Sequence, residues 1–136
     1  MSKRKQINNF PFESVSASGG KFTKICEDMM KTKAWEELSL RQRGLYLELK
    51  RKFTKKKNHD TNVNDISMTY SEYSKLYGDK RTFWKDIDKL IDNGFIRVIE
   101  HGKITRTPNI YGFSNKWHKF GTEGYFVPRD EKRMTK

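Results

Sequence analysis

Basic side chains are the residues of this chain whose type and spacing could do chemistry. Six of the eight residues from position 50 to 57 are basic, namely Lys50, Arg51, Lys52, Lys55, Lys56 and Lys57. Their charged groups bind phosphate oxygens, and this density exceeds what the negative end of a helix dipole requires. We therefore predict a patch that contacts phosphates, with a solvated helix end as the plainer alternative.

The charge of the whole chain has the same sign. The 136 residues include 29 Lys and Arg against 17 Asp and Glu, which gives a net charge of +12 and a pI near 9.8. Such a field favours a polyanionic partner, most commonly a nucleic acid. Residues 1–20 carry Lys3, Arg4 and Lys5 and few apolar anchors. We expect a flexible basic arm there, which either follows phosphates or a minor groove or is a terminus without such a role.

Sequence motifs for catalysis and cofactor binding are missing. The chain has no GxxxxGK[ST], no GxGxxG and no HExxH, and His59, His101 and His118 are far apart. Cys26 is the single cysteine and has no acid-base partner in view. We therefore expect a protein that is not an enzyme and that holds no cofactor or metal.

Nothing in the sequence indicates a membrane or an oxidising compartment. No apolar run approaches the roughly 18 residues of a membrane span, and the basic start is not followed by the apolar core of a signal peptide. A single cysteine cannot form an internal disulfide, which is typical of a reducing compartment. A cytoplasmic location without a membrane partner is expected.

Two successive helices are predicted between Tyr70 and Asn93. Ser71 can cap a short helix whose residues Tyr73, Leu76 and Tyr77 share one face, and Gly78 is expected to end it in a left-handed cap. Asp79 or Thr82 can begin the next helix. Its apolar stripe is Phe83, Ile87, Leu90 and Ile91, and its opposite side carries Arg81, Thr82, Lys85 and Lys89. Asn93-Gly94 is expected to end that helix.

A hairpin is predicted to follow these helices. Residues 95–100 are rich in β-branched and aromatic side chains, and His101-Gly102 suits a tight turn. Residues 103–113 return as a second strand, with Pro108 marking a bulge or an edge. Residues 66–69 are suited to a short strand that pairs with this hairpin. The order of elements is that of a winged helix-turn-helix, an α+β fold with three or four helices and a small antiparallel sheet or wing.

Further helices should support this motif. Over residues 22–38, Phe22, Ile25, Met29 and Met30 share one helical face, and Thr32 can begin a second short helix that buries Ala34, Trp35 and Leu38. Ser39 can cap a helix with the core positions Leu40, Gly44, Leu45, Leu47, Leu49 and Phe53, in which Gly44 would allow close packing. Trp117 is expected to close the core. The predicted organisation is a basic arm over 1–20, a domain over 21–121 and a basic C-terminal tail over 122–136, with both arms flexible.

The chain resembles small winged-helix proteins of plasmids, integrative elements and phages. The segments that carry the resemblance are AWEELSLRQRGLYLELKRKF, ISMTYSEYSKLYG, KRTFWKDIDKLIDNGFIRV and IYGFSNKW. It is also similar to the amino-terminal winged-helix domains of replication initiators and replisome organisers. The resemblance covers residues 22–121, and its most specific part is LIDNGFIRV, in which a helix ends at glycine and passes into an apolar strand.

The resemblance implies which residues face DNA. The recognition helix would present Lys80, Arg81, Thr82, Lys85 and Lys89, and the wing would present His101, Lys103, Thr105 and Arg106. Arg81 is the best candidate for a base edge, because its planar fork matches guanine O6 and N7. Asp86, Asp88 and Asp92 depart from this pattern, since carboxylates are repelled by phosphates. They imply that only the first turn inserts, or that the wing and arms carry most of the binding.

Three functions remain open at this point. The first is an accessory factor that binds origin double-stranded DNA in the replication or transfer of a mobile element, in bacterial cytoplasm near the nucleoid or plasmid. The second is a transcriptional repressor, although no long helix for a dimer seam is evident. The third is a module that binds single-stranded DNA and replication or transfer proteins, since aromatic residues lie among the basic ones.

Overall fold

The computed structural model of the chain describes residues 22–55, 60–102 and 107–134. Its helices are α1 (Glu27–Met30), α2 (Lys33–Glu36), α3 (Leu40–Lys50), α4 (Tyr70–Tyr73) and α5 (Lys80–Asp92), and its strands are β1 (Ile96–Glu100) and β2 (Ile110–Phe113). Two 3-10 helices follow, at Lys116–Lys119 and Arg129–Glu131. The predicted α+β class is confirmed. Eight residues predicted to contact DNA lie outside the described residues: Lys3, Arg4, Lys5, Lys56, Lys57, Lys103, Thr105 and Arg106.

Side-chain caps determine where several helices begin. Ser39 starts α3 with a capping box, in which the Ser39 Oγ accepts the Gln42 N–H at 3.1 Å and the Gln42 Oε1 accepts the Ser39 N–H at 2.9 Å. Thr32 caps α2 by accepting the N–H of Trp35. Both starts agree with the prediction. The start of α4 differs from the prediction, because its cap is Thr69 rather than Ser71. The Thr69 side chain accepts the Glu72 N–H, and the Glu72 carboxylate accepts the Thr69 N–H.

The helix α5 has the predicted start, stripe and end. Asp79 Oδ1 accepts the N–H of Arg81 at 3.0 Å, and the four stripe residues Phe83, Ile87, Leu90 and Ile91 are all buried. The chain leaves the helix at Gly94 with φ of 87°, where a Cβ would lie 2.5 Å from the backbone nitrogen of Trp117. Gly78 has no such positive φ, so the left-handed cap predicted there is wrong. The helix α4 ends at Tyr73 with Ser74 as its C-cap, and a turn leads on to Gly78.

The two strands pair in an antiparallel sheet, with Ile96 opposite Phe113 and Val98 opposite Tyr111. The register shifts between Val98 and Glu100, so the bulge lies in β1. Pro108, predicted to mark a bulge or an edge, lies before the first residue of β2. Ile66 exchanges two backbone hydrogen bonds with Tyr111, of 3.0 and 2.7 Å. The predicted short partner strand is therefore reduced to one bridge.

The connection between the strands is longer than the tight turn predicted at His101-Gly102. The Thr107 N–H donates to the Gly102 carbonyl at 3.0 Å, and β2 begins only at Ile110. A Cβ on Gly102 would collide with the carbonyl of Thr107. Glycine is therefore required where the loop closes.

The core confirms most of the predicted positions and corrects several of them. Leu40, Leu47 and Leu76 are exposed, at 82%, 41% and 49%. On α3 the buried face runs through Leu45, Tyr46 and Leu49, so it is rotated from the predicted stripe, and Tyr46 packs edge-on against Trp35 and Phe95. A Cβ at Gly44 would meet no atom within 4 Å, so this glycine is not there for close packing.

Both ends of the described chain differ from the prediction. Phe22 and Met30 are exposed and α1 is a single turn from Glu27, because only Met29 and Ile25 of that segment reach the core. Trp117 is half-buried and packs against the core, as expected. The C-terminal tail was predicted to be a flexible arm, with packing as one more strand or a role as a partner peptide as alternatives. Its described residues pack on β1 and α5 through ion pairs and hydrogen bonds and form no strand.

A buried carboxylate joins α5 to α3 and to the turn before α5. Asp86 is fully buried, and its Oδ2 accepts from Arg41 Nε and Tyr77 OH, each at 2.6 Å. Its Oδ1 accepts from Arg41 Nη2 at 3.0 Å and Gln42 Nε2 at 3.2 Å. Burial by itself would raise the pKa of Asp86, but the hydrogen bonds from Arg41, Tyr77 and Gln42 outweigh it and lower the pKa.

Replacing this carboxylate should destabilise the fold. Asp86→Ala leaves the buried Tyr77 hydroxyl without its acceptor and removes two charge-assisted bonds from Arg41, so we expect a loss of about 3 kcal/mol in the free energy of unfolding by urea denaturation. Asp88→Ala is the matched control on the same helix. Its carboxylate is partly exposed and should cost less than about 1 kcal/mol. Equal losses for the two variants would contradict the role given to Asp86.

The stability should also fall in acid. The pKa values of Asp86 and Glu72 are both lowered, that of Glu72 first by its hydrogen bond from Lys52 and then by that from Thr69. Their stabilisation is therefore complete above the unfolded values near pH 4 and is lost as the pH falls through the folded values. Thermal melts from pH 7 to pH 2 should show this decline. Asp86→Asn should flatten it, and an unchanged slope in that variant would refute the assignment.

Candidate nucleic-acid interface

The first two turns of α5 present cations to solvent. Lys80, Arg81 and Lys85 are exposed, and Thr82 beside them is half-buried. Among the described residues, no carboxylate lies within ion-pair distance of these three cations. The Asp79 carboxylate at the start of the helix accepts a backbone N–H. This face can therefore bind an anion without first breaking an internal salt bridge.

The acidic residues of α5 are all engaged within the protein. Asp86 lies in the core and points away from the exposed face, contrary to the prediction that it would oppose phosphates. Asp88 accepts two hydrogen bonds from Arg133, at 3.1 and 2.9 Å, and Asp92 lies 4.0 Å from the ammonium of Lys132. The exposed side of the helix is therefore less acidic than its sequence indicates.

Residues 125–134, which we call the C-terminal strap, supply these two cations. The Tyr125 hydroxyl donates to the Asp92 carbonyl at 2.8 Å, and Glu131 pairs with Lys116 at 3.2 Å and Arg97 at 3.9 Å. The strap is thus anchored by Glu131 on one side and by its basic residues on the other. It begins next to the end of α5, passes β1 and returns to α5.

Arg133 is the most firmly held cation of the strap. Its guanidinium lies 4.8 Å from the ring centroid of Trp84 and is bidentate to Asp88, and only 20% of its side chain is exposed. Sequence reasoning missed Lys132 and Arg133 as part of this surface. A signal was available, because Asp88 and Asp92 are one turn apart on the exposed stripe and need cations from elsewhere.

The hairpin side of the surface is described only in part. His101 is half-buried, and its Nε2 lies 2.7 Å from the carbonyl of Lys132, which makes that nitrogen the donor. This predicted wing residue therefore holds the strap. Lys103, Thr105 and Arg106 lie outside the described residues.

The basic run at the end of α3 is largely occupied by internal contacts. The Lys50 ammonium lies over the rings of Phe53 and Phe113, Arg51 pairs with Glu48 at 2.9 Å, and Lys52 pairs with Glu72. Lys55 is exposed, and Lys56 and Lys57 lie outside the described residues. Of the first three members of this run, Arg51 and Lys52 are therefore paired with carboxylates, whereas the described partners of the Lys50 ammonium are aromatic rings.

Lys89, the last predicted cation of α5, is set apart from the others. Its ammonium lies 3.5 Å from Glu37, which follows α2. Since its side chain is only 34% exposed, it serves the packing of α5 as well as the surface. The cations that the structure brings together on α5 are therefore Lys80, Arg81 and Lys85.

Among the residues that the structure describes, no three His, Cys, Asp or Glu side chains could share a metal ion. Burial raises the pKa of Tyr111 to about 12, so its hydroxyl stays protonated at neutral pH. None of the described helices is long and apolar enough to cross a membrane.

Comparison of the chain with protein-family models, with curated proteins and with solved structures gives no match. A functional interpretation must therefore be argued from the geometry of this surface and from the sequence.

Proposed function

We propose that the protein is a winged-helix factor that binds double-stranded DNA and assists the replication or transfer of a mobile genetic element. The observation that carries the proposal is the charge pattern of α5. Lys80, Arg81 and Lys85 are exposed without an internal carboxylate partner among the described residues, whereas the aspartates of the helix are buried or paired. A cationic helix start of this kind suits a major groove.

The elements around α5 support a helix-turn-helix arrangement. The rings of Tyr73 on α4 and Phe83 on α5 stack with centroids 4.1 Å apart, and Tyr77 in the turn meets the same ring edge-on. Asp86 ties the inner side of α5 to α3. The recognition helix α5 is therefore fixed on its inner side by aromatic packing and by the ion pair of the buried Asp86 with Arg41, with its outer side left for DNA.

Different roles follow for the three cations. Arg81 is assigned to a base edge, because a guanidinium can donate two parallel hydrogen bonds to guanine. Lys80 and Lys85 are assigned to backbone phosphates, which fix the register of the helix but carry no sequence information. The hairpin β1–β2 acts as the wing, and Lys132 and Arg133 of the strap keep Asp88 and Asp92 from repelling the duplex.

The role in a mobile element rests on the sequence resemblance. Footprinting of the protein across the element that encodes it should show protection at the origin of replication or transfer. Protection confined to a promoter would favour a repressor instead.

Substitution of Arg81 tests the readout by α5. We expect the wild-type protein to bind an element-derived duplex about a thousandfold more tightly than random duplex in fluorescence anisotropy. Arg81→Ala should cost about 1–3 kcal/mol at the specific site and should reduce the discrimination against random duplex. Arg81→Lys should keep the salt slope but lose most of the discrimination, since it lacks the fork. Equal discrimination by all three proteins would contradict base readout by Arg81.

The Asp88–Arg133 pair tests the role of the strap. Arg133→Ala exposes an unpaired Asp88 carboxylate, so the affinity for duplex should fall by about fivefold at low salt. Combining it with Asp88→Asn should restore the affinity to that of Asp88→Asn alone. If the double variant stays weak, Arg133 contacts DNA itself and the neutralising role is wrong. Arg129→Ala is the control, because it removes an exposed arginine from the same strap without touching Asp88.

A further inference from the structure

A cleft of about 640 Å³ opens between α1, the end of α3 and the chain that follows β2. Its wall is aromatic, formed by Tyr46, Phe113 and Trp117. Its cationic lining residues are Lys24, Lys50, Arg97 and Lys116, and Glu131 is the one carboxylate among the described lining residues. The volume falls within the range of small-molecule sites, and the charge selects an anionic ligand.

Two of these cations already hold an anion. Lys116 and Arg97 lie 3.2 and 3.9 Å from the Glu131 carboxylate, whose side chain is 19% exposed. Neither Lys24 nor Lys50 has a carboxylate partner among the described residues, and the Lys50 ammonium lies 5.2 Å from the centroid of Phe113. The cleft therefore seats one carboxylate of the chain and keeps two ammonium groups for a ligand.

A second cleft of about 680 Å³ adjoins the first, because Asn115 and Lys116 line both. It adds Lys119, His118, Tyr125 and Phe126, together with one carboxylate, that of the exposed Glu123. Phe126 is 70% exposed, so its ring is accessible to a ligand in this cleft. The two clefts form one elongated surface, which we call the aromatic groove.

A ladder of stacked rings ends in this groove. Phe95 in the core is nearly parallel to Trp117, at 10° and 6.4 Å between centroids, and Trp117 stacks on His118 at 3.6 Å. His118 is exposed although it stacks on Trp117, and Phe126 in the same cleft is exposed as well. These are the two accessible rings to which we assign stacking with planar groups.

The repetition of cations and aromatic rings favours one class of ligand. A single nucleic-acid strand presents a phosphate and a planar base in every unit, and base stacking on aromatic side chains requires no particular sequence. An acidic peptide would use the ammonium groups but leave the ring faces unused. No residue that lines the groove belongs to α5, so the groove is separate from the cations of that helix.

We propose that the aromatic groove binds single-stranded nucleic acid, with bases stacked on His118 and Phe126 and phosphates held by Lys24, Lys50 and Lys119. This activity goes beyond duplex recognition by α5, and it does not depend on it. A protein with both surfaces holds a duplex and an unpaired strand at the same time.

The test is binding of a fluorescent oligothymidylate of about 12 nucleotides, and of the matching oligouridylate, by anisotropy. Phe126→Ala and His118→Ala each remove a stacking face from an exposed side chain and leave every lysine and arginine of the groove in place. Each should weaken strand binding by about tenfold. Tyr70→Ala is the matched control, since it removes an equally exposed aromatic, 69% accessible, on α4. The two oligonucleotides distinguish DNA from RNA as the preferred strand.

Strand binding by the groove and duplex binding by α5 can be tested separately with these variants. We expect Phe126→Ala to leave duplex binding within about twofold, and Arg81→Ala to weaken duplex but not strand binding. The inference is overturned if Phe126→Ala and His118→Ala lose no more strand affinity than Tyr70→Ala, or if polyglutamate displaces the oligonucleotide as well as unlabelled oligothymidylate does. If the wild-type protein binds strands through Phe126 but shows no specific duplex binding, the function proposed for α5 fails and the groove stands.

Discussion

The ion pair between the buried Asp86 and the exposed Arg41 is the constraint on which the placement of α5 depends. A carboxylate with no exposure to water is tolerated only when its oxygens are well bonded, and Asp86 receives four hydrogen bonds from three side chains. Two donors come from α3 and the third from the turn before α5. A shift of α5 along α3, or a different angle of the turn, would leave this charge unpaired in the core. Apolar packing at Phe83, Ile87 and Leu90 provides most of the contact area but tolerates small shifts. The polar network is what fixes the register of α5 on the body, and hence the side of the helix that faces outward.

Several acidic side chains of this strongly basic chain are paired within the protein. Its surface therefore stays available to polyanions. Asp86 binds inside, Asp88 and Asp92 meet the strap, Glu72 meets Lys52, and Glu131 meets Lys116. Each ion pair also occupies one cation. The basic run at the end of α3 therefore has fewer cations available for a polyanion than its sequence indicates. What remains on α5 is Lys80, Arg81 and Lys85. The net charge alone therefore indicates the kind of partner, and the pairing pattern decides where that partner can bind.

The sequence was sufficient for the parts of the fold that depend on local chemistry. The cap at Ser39, the stripe on α5 and the helix end at Gly94 were predicted because each needs only a few neighbouring residues. The predictions were wrong where residues far apart in the sequence determine which side chains are buried. Leu76 and Leu47 fit a helical face but find no partner, whereas Tyr46 is buried because Trp35 and Phe95 surround it. Asp86 was misplaced although its spacing from Phe83 and Leu90 puts it on the apolar face, since a carboxylate there is plausible only once Arg41 is known to reach it. The strap was missed because a run of charged residues after a proline carries no period.

Because of the strap, salt should weaken DNA binding by α5 in two ways. Salt screens the attraction between the cations of α5 and phosphate, and it also weakens the partly exposed pairs of Lys132 with Asp92 and Arg133 with Asp88. If those pairs break, the carboxylates of Asp88 and Asp92 are again unneutralised on the outer side of α5. High salt would therefore add this repulsion to an attraction between cations and phosphate that it has already weakened. The steepness of salt dependence therefore contains a contribution from the strap in addition to the number of phosphates contacted. Arg133 resists this more than Lys132 does, because its planar group is bidentate and packs on Trp84, so the carboxylate nearer the start of the helix stays neutralised longest. The charge balance of α5 is thus held most firmly next to Lys85, where the proposed contact with DNA begins.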